Sequence, residues 1–245
     1  MAGLHIGTSG WNYPEWQDGF YALVPRGRWL EHYAQRFDAV EVNASFYRSL
    51  RPATLARWHA ATPAAFRFAL KGHRQVTHIR RLQNVEDSVA RQQRELAPLG
   101  DKAAVVLWQL PANLPQDLAR LEAFAGLLAR WTSVRHVLEF REPSWFTDEV
   151  AACLGAHRLA SAISDAAGWP RWDALTTDLA YLRLHGRPRT YASTYGAAEL
   201  GPWAARVAGF LAEGRAVHVY FDNTMQGAAP EDAARLRALL GDGKR

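Results

Sequence analysis

Short apolar runs recur along this chain, and segments with the spacing of amphipathic helices separate most of them. Eight runs have the length and composition of β-strands, at residues 4–8, 39–43, 66–71, 104–109, 135–140, 159–164, 180–185 and 217–222. Helices are predicted at residues 28–37, 52–61, 84–96, 115–131, 148–154, 202–211 and 230–240. Residues 165–178 contain two tryptophans and a proline, and they leave room for a turn of helix at most.

The alternation of strands and helices predicts an α/β protein. In 245 residues it matches, in count and in length, a single (β/α)8 TIM-type barrel domain over residues 1–245. The competing architecture, a doubly wound open sheet, usually carries a glycine-rich phosphate loop after its first strand. Here the first turn reads GTSG from Gly7 and continues WNYP, without a G-x-G-x-x-G motif or a P-loop lysine. We therefore expect one barrel, with a weak or missing helix between strands six and seven.

Polar side chains recur at the carboxyl ends of the predicted strands, whereas the strand starts are mostly apolar. The recurring residues are Glu41, Asn43, Lys71, Gln109, Glu139, Arg141, Asp165, Arg183, His185, Asp222 and Asn223. In a barrel of this kind the active site lies at the carboxyl ends of the strands, because the loops there converge on the barrel mouth. The sequence therefore predicts a polar pocket at that end.

The stretch VLEFREPSW, residues 137–145, shows how a strand directs such groups. Because successive strand residues point to opposite sides, Glu139 and Arg141 share one face and their apolar neighbours face the helices. The same segregation occurs in EVN from Glu41 and in RLH from Arg183. A structural ion pair of Glu139 with Arg141 or Arg183 is the alternative for single residues. Burying a whole ring of charges without ligand or solvent is costly, which favours a pocket.

These residues are assigned candidate roles in the pocket. The predicted catalytic residues are Glu41, Glu139, His185 and Asp165. The predicted substrate-binding residues are Trp11, Tyr13, Asn43, Lys71, His78, Gln109, Arg141, Trp145, Arg183 and Asn223. The cations in this set are expected to hold an anion, and Trp11 and Trp145 to wall the pocket. A solvated loop position for His78, and a plug of the barrel top for the rings after strand one, remain open.

The chain is basic, with a formal net charge of +5 and a pI of about 9.6. This charge favours anionic partners only weakly, since an arginine- and alanine-rich composition accounts for it without a partner. The single cysteine, Cys153, permits no disulfide within the chain, which suits a reducing cytosol. No apolar run has membrane-spanning length and no leader precedes the first strand. We therefore expect a cytoplasmic protein without a membrane partner.

Several motifs follow one another in order along nearly the whole chain. They are GTSGW from Gly7 with Tyr13, Trp16, Phe20 and Tyr21; VEVN from Val40; SFYR from Ser45; FALK from Phe68 with Thr77 and His78; QLP from Gln109; EFR from Glu139 with Ser144 and Trp145; RLHG from Arg183; and YFDN from Tyr220. This series resembles the domain-of-unknown-function-72 family, also called YecE-like. The resemblance implies a TIM-type barrel and little about the reaction. The family usually has two asparagines after the aromatic residue of the last motif, whereas here the first is Asp222.

Two classes of function fit these features. The first is an enzyme, a hydrolase, lyase or isomerase, that acts on a small polar anionic substrate such as a sugar or sugar phosphate by carboxylate acid/base chemistry. The alternative is a nucleic-acid-binding or repair protein related in fold to endonuclease IV-type barrels. No cofactor is predicted, but a divalent metal is possible in a variant of the enzyme. Its ligands would be Glu139, Asp165, His185 and Asp222. Two nearby arginines disfavour such a cation, and the oligomeric state stays open.

Overall fold

The structure, a computed structural model, describes residues 3–241. The strands of this range are β1 (Leu4–Thr8), β2 (Ala39–Val42), β3 (Arg67–Lys71), β4 (Ala103–Gln109), β5 (Arg135–Glu139), β6 (Ala160–Asp165), β7 (Leu179–Leu184) and β8 (Ala216–Phe221). Its α-helices are α1 (Trp29–Ala34), α2 (Ala44–Tyr47), α3 (Pro52–Ala60), α4 (Glu86–Leu96), α5 (Leu118–Leu128), α6 (Asp148–Ala156), α7 (Ala197–Ala212) and α8 (Ala228–Leu239). The predicted strands are all confirmed, each within one residue of its bounds.

The strands form one closed parallel barrel. They are hydrogen-bonded in the order β1-β8-β7-β6-β5-β4-β3-β2, and a parallel bridge between Ser9 and Glu41 joins the two ends of this sheet. Between β6 and β7 the described chain has no helix, which confirms the prediction from the weak pattern there. The fold is therefore an eight-stranded α/β barrel whose strand ends converge on one mouth.

Side chains hold together the seam between β1 and β2, where the backbone ladder is shortest. The Tyr33 hydroxyl of α1 accepts a hydrogen bond from the Thr8 N–H at 2.8 Å and donates one to the Ala39 carbonyl at 3.0 Å. Asp38 accepts a hydrogen bond from the Ile6 N–H at 3.0 Å. These bonds satisfy buried backbone groups that no neighbouring strand reaches. The barrel closes because α1 and the residue before β2 supply what the ladder lacks.

The strand side chains alternate between the barrel interior and a layer that packs on the helices. Alanines, valines, leucines and two tyrosines fill the interior, among them Ala69, Leu107, Tyr181 and Tyr220. The helix-facing layer holds larger aliphatic residues of the same strands, such as Leu182. Tyr181 marks the upper boundary of the apolar interior, because its hydroxyl donates a hydrogen bond to Glu41 at 2.7 Å.

Two helices begin away from their predicted positions. The structure starts α7 after Gly196, whose N–H donates to the Glu199 side chain, so the predicted start of this helix at residue 202 is wrong. The α5 helix starts after Asp117, whose side chain accepts a hydrogen bond from the Arg120 N–H at 3.0 Å. In both cases a cap that satisfies exposed backbone donors fixes the start. Among the helices of residues 3–241, none combines the length and the apolar character needed to cross a bilayer.

Two short elements at the mouth match no sequence pattern. One is α2, directly after β2, and the other is a π-helical turn at Gln75–Ile79, after β3. The Phe46 ring of α2 lies 4.9 Å from the His78 ring of the turn and 4.4 Å from the Lys71 amine, measured between ring centroids and from the centroid to Nζ. These elements therefore build one wall of the mouth around the end of β3.

The close approach at the β1–β2 seam predicts that Gly7→Ala destabilises the barrel. A Cβ at Gly7 would lie 1.9 Å from the Ala39 carbonyl oxygen and 2.8 Å from the Tyr33 hydroxyl. We expect the free energy of unfolding to fall by about 2 kcal/mol or more, because backbone must move to relieve the overlap. Thermal denaturation measures this. Gly19→Ala is the control, since a Cβ there meets no atom within 4 Å. Equal melting temperatures for the two variants would contradict the role of Gly7.

Candidate active site at the barrel mouth

One buried arginine joins the acidic side chains of the barrel mouth. Arg183 lies near the carboxyl end of β7 and is 1% exposed. Its Nε and Nη2 donate to Glu41 at 2.9 and 2.6 Å, and its Nη1 donates to Glu139 at 2.8 Å. Its Nη2 also donates to Asp222 at 3.0 Å. Burial disfavours the charged guanidinium, but the three acids outweigh this effect and raise the Arg183 pKa well above its ordinary value.

Glu41 is a fully engaged member of this network. Besides the two bonds from Arg183, its carboxylate accepts hydrogen bonds from the Tyr181 hydroxyl at 2.7 Å and the Ser9 hydroxyl at 2.5 Å. The Asn43 side-chain amide donates to the same Ser9 oxygen at 2.9 Å. Glu41 has no exposed surface. Its carboxylate is therefore a fixed, satisfied charge at the floor of the mouth.

Glu139, at the end of β5, is held in the same way. Its carboxylate accepts hydrogen bonds from Arg141 at 2.6 Å and from the Ser164 hydroxyl at 2.7 Å, in addition to the bond from Arg183. Burial alone would raise the Glu139 pKa, but the two arginines, His185 and Ser164 outweigh burial and lower it. Glu139 is thus ionised at neutral pH and offers no proton to a substrate there.

His185 and Asp222 form a close pair above Arg183. The His185 Nδ1 lies 3.0 Å from an Asp222 carboxylate oxygen, although the two are not aligned for a hydrogen bond, and its Nε2 lies 3.3 Å from Arg183 Nη1. Burial and then Arg183 lower the His185 pKa. Burial would raise the Asp222 pKa, but Arg183, His185 and Lys71 lower it. At neutral pH the pair is therefore a neutral imidazole beside a carboxylate.

Arg141 lies at the edge of the network with part of its guanidinium unused. Its Nε donates to Glu139, and its guanidinium carbon lies 3.6 Å from the centroid of the Trp169 ring. The Trp169 ring also packs against the His185 ring at a centroid distance of 4.7 Å. Within residues 3–241 the two terminal nitrogens of Arg141 make no hydrogen bond, and its side chain is 13% exposed. These nitrogens are available to an anion.

Lys71 forms the cationic side of the mouth, and His78 lies beside it. Burial, followed by the charge of Arg183, lowers the Lys71 pKa to about 8, against the opposing effect of the nearby acids. Burial, followed by the charges of Lys71, Arg74 and Arg141, lowers the His78 pKa to about 4. His78 is therefore neutral at physiological pH, and Thr77 Oγ1 lies 2.9 Å from its Nδ1.

The remaining predicted residues at the mouth are Tyr13, Trp11 and Gln109. The Tyr13 hydroxyl donates to the Ser9 carbonyl, and burial followed by Asp222 raises its pKa to about 12. Trp11 is half-buried and packs edge-on against Trp58 at a centroid distance of 4.9 Å. The Gln109 side chain donates to the Leu110 carbonyl at 2.7 Å. All three remain candidates for contact with substrate.

Loops and helices around the barrel engage the side chains of Asp165, Trp145 and Asn223. Asp165 ends β6 on the face opposite Ser164, and accepts hydrogen bonds from Arg187 at 2.7 Å and the Tyr195 hydroxyl at 2.9 Å. Asp165 therefore anchors the β7–α7 loop instead of joining the proposed catalytic acids. Asp165 was assigned a catalytic role from its place at a strand end, whereas side-chain alternation puts Ser164 inside the barrel.

Trp145 and Asn223 are likewise part of the packed framework. Trp145 has no exposed surface, stacks on Phe140 and donates to the Leu114 carbonyl at 2.7 Å. Asn223 is also fully buried, and its amide donates to Asp232 at 2.7 Å. Both residues follow strand ends, but their side chains point away from the barrel axis.

The four residues predicted as possible ligands of a divalent metal do not all face one point. Asp165 points away from the other three residues, and guanidinium groups already neutralise Glu139 and Asp222. Within residues 3–241, three potential metal ligands come together at Glu122, Cys153 and His157, on α5 and the end of α6, away from the mouth. The donor set of the mouth therefore fits an anion better than a cation.

Four residues of the network were missed by the sequence analysis. They are Ser9, Ser164, Tyr181 and Trp169. Tyr181 precedes Arg183 by two residues and Ser164 continues the interior face of β6, so strand alternation carried a signal for both. Trp169 lies in the irregular segment between β6 and β7, where no periodicity indicates which way a side chain points.

A family model and two curated relatives show which proteins this chain is similar to. A family model described as "Protein of unknown function DUF72" matches residues 5–245. The UPF0759 protein YecE of Escherichia coli (strain K12) is 29% identical over 145 residues, which are 58% of this chain and 50% of YecE. The chain thus matches about half the length of that relative. The UPF0759 protein YunF of Bacillus subtilis (strain 168) is 24% identical over 97% of this chain and 94% of YunF.

A solved structure shares the fold over almost the whole chain. The crystal structure of a DUF72 family protein from Thermotoga maritima MSB8 superposes with a TM-score of 0.87 and 23% sequence identity. The superposition covers 97% of this chain and 99% of that one. At this identity the similarity establishes the barrel and nothing about the chemistry.

The network predicts that Glu139→Gln destabilises the protein. The substitution leaves Arg141 and Arg183 without one buried counter-charge, and we expect a loss of about 3 kcal/mol at pH 7. Because the pKa of Glu139 is lowered from 4.5 on folding, its contribution is complete above that pH and disappears as the pH falls through the lower folded value. The stability difference from wild type should therefore narrow below about pH 4.5. Chemical denaturation across pH measures it.

Glu149→Gln, at an exposed position of α6, is the matched control and should leave stability almost unchanged. A melting temperature for Glu139→Gln at or above that of wild type would contradict a structural role for the ion network. It would favour a catalytic role for Glu139 instead.

Proposed function

This chain belongs to the protein family of unknown function DUF72, and we propose that it is an enzyme acting on a small, polar, anionic substrate such as a sugar or sugar phosphate. The observation that carries the proposal is the convergence of three acids, two arginines, a histidine and a lysine at the carboxyl ends of the strands. This is the end of a TIM-type barrel at which active sites lie. Burying so many charges is costly for stability, which favours a functional reason for them.

The buried part of the network is suited to fixing charges in advance of a reaction. Glu41, Glu139 and Arg183 are each 1% exposed or less, and each is held by several hydrogen bonds. Groups held in this way cannot reorient, so they stabilise charge that develops on a substrate without a reorganisation cost. We assign them this electrostatic role in place of direct proton transfer.

Anion recognition is assigned to Arg141. Its terminal nitrogens have no hydrogen-bond partner within residues 3–241, and the face of Trp169 holds the guanidinium in place. A guanidinium fixed by one bond and one aromatic face can offer two parallel N–H groups to a phosphate or carboxylate. Arg74 and Lys71 add positive charge on the same side, since both lower the pKa of His78.

Proton transfer is assigned to Asp222, assisted by His185. Asp222 is the accessible acid of the network, with a side chain 12% exposed against none for Glu41 and Glu139. Because its pKa is lowered, it is ionised at neutral pH and can accept a proton from a substrate. The neutral His185 ring lies next to it and can share that proton.

A second candidate function is binding of single-stranded nucleic acid in a groove beside the mouth. The groove is lined by Trp11, Trp58, Arg48 and Arg51, among others. Aromatic rings interleaved with arginines suit stacked bases and phosphates. Its signature would be an affinity that falls steeply with salt, which the small-substrate proposal does not require to the same degree.

The enzyme proposal predicts that Asp222→Asn strongly slows turnover with little loss of stability. Arg183 keeps Glu41 and Glu139 as partners in this variant, so the fold should persist. Wild type is incubated with an extract of anionic metabolites, and consumption of any component is followed by mass spectrometry. We expect Asp222→Asn to be slower by about two orders of magnitude or more. Asp178→Asn, at the opposite end of the barrel, is the control; the same loss there, or no component consumed by wild type, would count against the proposal.

The anion proposal predicts that Arg141→Gln weakens binding of sugar phosphates and inorganic phosphate. Loss of charge-assisted hydrogen bonds should reduce affinity about tenfold or more. Calorimetric titration, or the shift of the melting temperature with ligand concentration, measures the effect. Arg135→Gln is a control on the same strand, since Arg135 starts β5 and pairs with Asp178 at the other end of the barrel. Equal affinities for Arg141→Gln and wild type would refute the assignment.

A further inference from the structure

We propose that the Lys71 amine is a nucleophile that forms an imine with an aldehyde or ketone group of the anionic substrate. The inference rests on the proposed function and deepens it, because it narrows the substrate class to carbonyl compounds. It also gives Lys71 a role different from that of the neighbouring arginines, which hold charge but cannot form such a bond.

The position of Lys71 suits a reactive amine. It is the last residue of β3, and its backbone carbonyl is fixed by hydrogen bonds from Ser45 at 2.7 Å and Gln92 at 3.2 Å. Within residues 3–241 its Nζ makes no hydrogen bond and no ion pair, and lies 4.4 Å from the centroid of the Phe46 ring. The backbone is thus held rigidly at the mouth, while the amine keeps its bonding capacity for a ligand.

Lys102 shows what a structural lysine looks like in the same molecule. Its Nζ donates to the His59 carbonyl at 2.5 Å, to the Thr62 carbonyl at 2.7 Å and to the Thr62 hydroxyl at 3.2 Å. All three donors of a lysine ammonium are therefore engaged, and the group links residues 59–62 to the residue before β4. The contrast indicates that the unbonded amine of Lys71 is not explained by packing.

Burial and the charge of Arg183 keep part of the Lys71 population neutral. Burial and then Arg183 of β7 lower the Lys71 pKa to about 8, whereas Glu139, Glu41 and Asp222 oppose this effect. The other charged groups on this side of the mouth are Arg74 and Arg141, and His78 is neutral. A shift from 10.5 to about 8 increases the neutral, nucleophilic fraction at pH 7 roughly 300-fold.

The residue type itself is informative in this chain. Among its 29 basic residues only Lys71, Lys102 and Lys244 are lysines, and the other 26 are arginines. An arginine at the end of β3 would supply a permanent positive charge for an anion. It would not supply an amine that loses its proton near neutral pH. A lysine at this place fits a requirement for the neutral amine.

The step balances with groups already at the mouth and a proton from solvent. The neutral Nζ attacks the carbonyl carbon, and a carbon–nitrogen bond forms as the carbonyl π bond opens. Asp222 takes one proton from the nitrogen and returns it to the oxygen, which gives a carbinolamine. A second proton, drawn from solvent, converts the hydroxyl group to water, which leaves, and the nitrogen keeps its remaining proton in the protonated imine. No oxidant or reductant is needed. The protonated imine then withdraws electrons from the adjacent carbon, which eases removal of a proton or cleavage of a bond there.

The test uses pyridoxal 5′-phosphate as an anionic aldehyde and pyridoxal as its counterpart without phosphate. Each is mixed with the intact protein, and borohydride reduces any imine to a stable amine. Peptide mapping by mass spectrometry then gives the extent of labelling at Lys71 and at Lys102, with Nα-acetyl-lysine amide in the same tube as a reference. Lys71→Arg and Lys102→Arg are the variants, and thermal melting checks that both are folded.

We expect Lys71 to be labelled about tenfold or more faster than the reference amine at pH 7, with a half-maximal rate near pH 8. Labelling at this site is lost in Lys71→Arg and kept in Lys102→Arg. If Lys71→Arg does not fold, the map of the wild-type protein decides the question alone. Labelling of Lys71 no faster than the reference, or half-maximal near its unperturbed value of 10.5, overturns the inference.

The outcomes separate this inference from the proposed function. Fast labelling of Lys71 by both aldehydes at equal rates supports the imine and counts against an anionic substrate. An inert Lys71 in a protein that still binds phosphate through Arg141 overturns the imine alone.

Discussion

The sharing of one buried guanidinium by three carboxylates is the interaction on which the rest of this structure depends. Arg183 reaches Glu41 across the barrel, Glu139 two strands away and Asp222 on the neighbouring strand. Removing so many charges from water is tolerable only when each finds a partner of opposite sign at hydrogen-bonding distance. The network therefore fixes the relative positions of four strands at the mouth, and loss of a fully buried member such as Glu139 leaves its partners with an uncompensated charge.

The charge balance of the network explains the state of the groups around it. Three acids face two arginines, and Lys71 and His185 are the two further bases beside them. Both of these residues are disfavoured in their charged forms by burial and by Arg183, which lowers the pKa of each. Neutral bases beside fixed charges are the combination that acid/base and nucleophilic chemistry need at neutral pH.

One residue, Glu41, takes part both in the closure of the barrel and in the construction of its mouth. The Glu41 carbonyl accepts the Gly10 N–H at 2.7 Å, which bridges β2 to the end of β1, while the Glu41 side chain accepts the Ser9 hydroxyl. The seam that completes the cylinder therefore also positions the acid that anchors Arg183. A sheet left open between β1 and β2 would lose both together, so the fold cannot form without bringing the site together.

The sequence by itself determined the strand count, the barrel and the polar pairs Glu41 with Asn43, Glu139 with Arg141 and Arg183 with His185, because alternation in a strand is a local property. It could not show where residues beyond the strand ends, such as Trp145 and Asn223, direct their side chains, because loops have no periodicity. The outward direction of Asp165, which ends β6, does follow from alternation. Only the tertiary structure decided which acids remain accessible, since burial depends on neighbours distant in sequence. For the same reason the unbonded amine of Lys71 became visible only in three dimensions: its lack of a partner is a fact about every other residue near it.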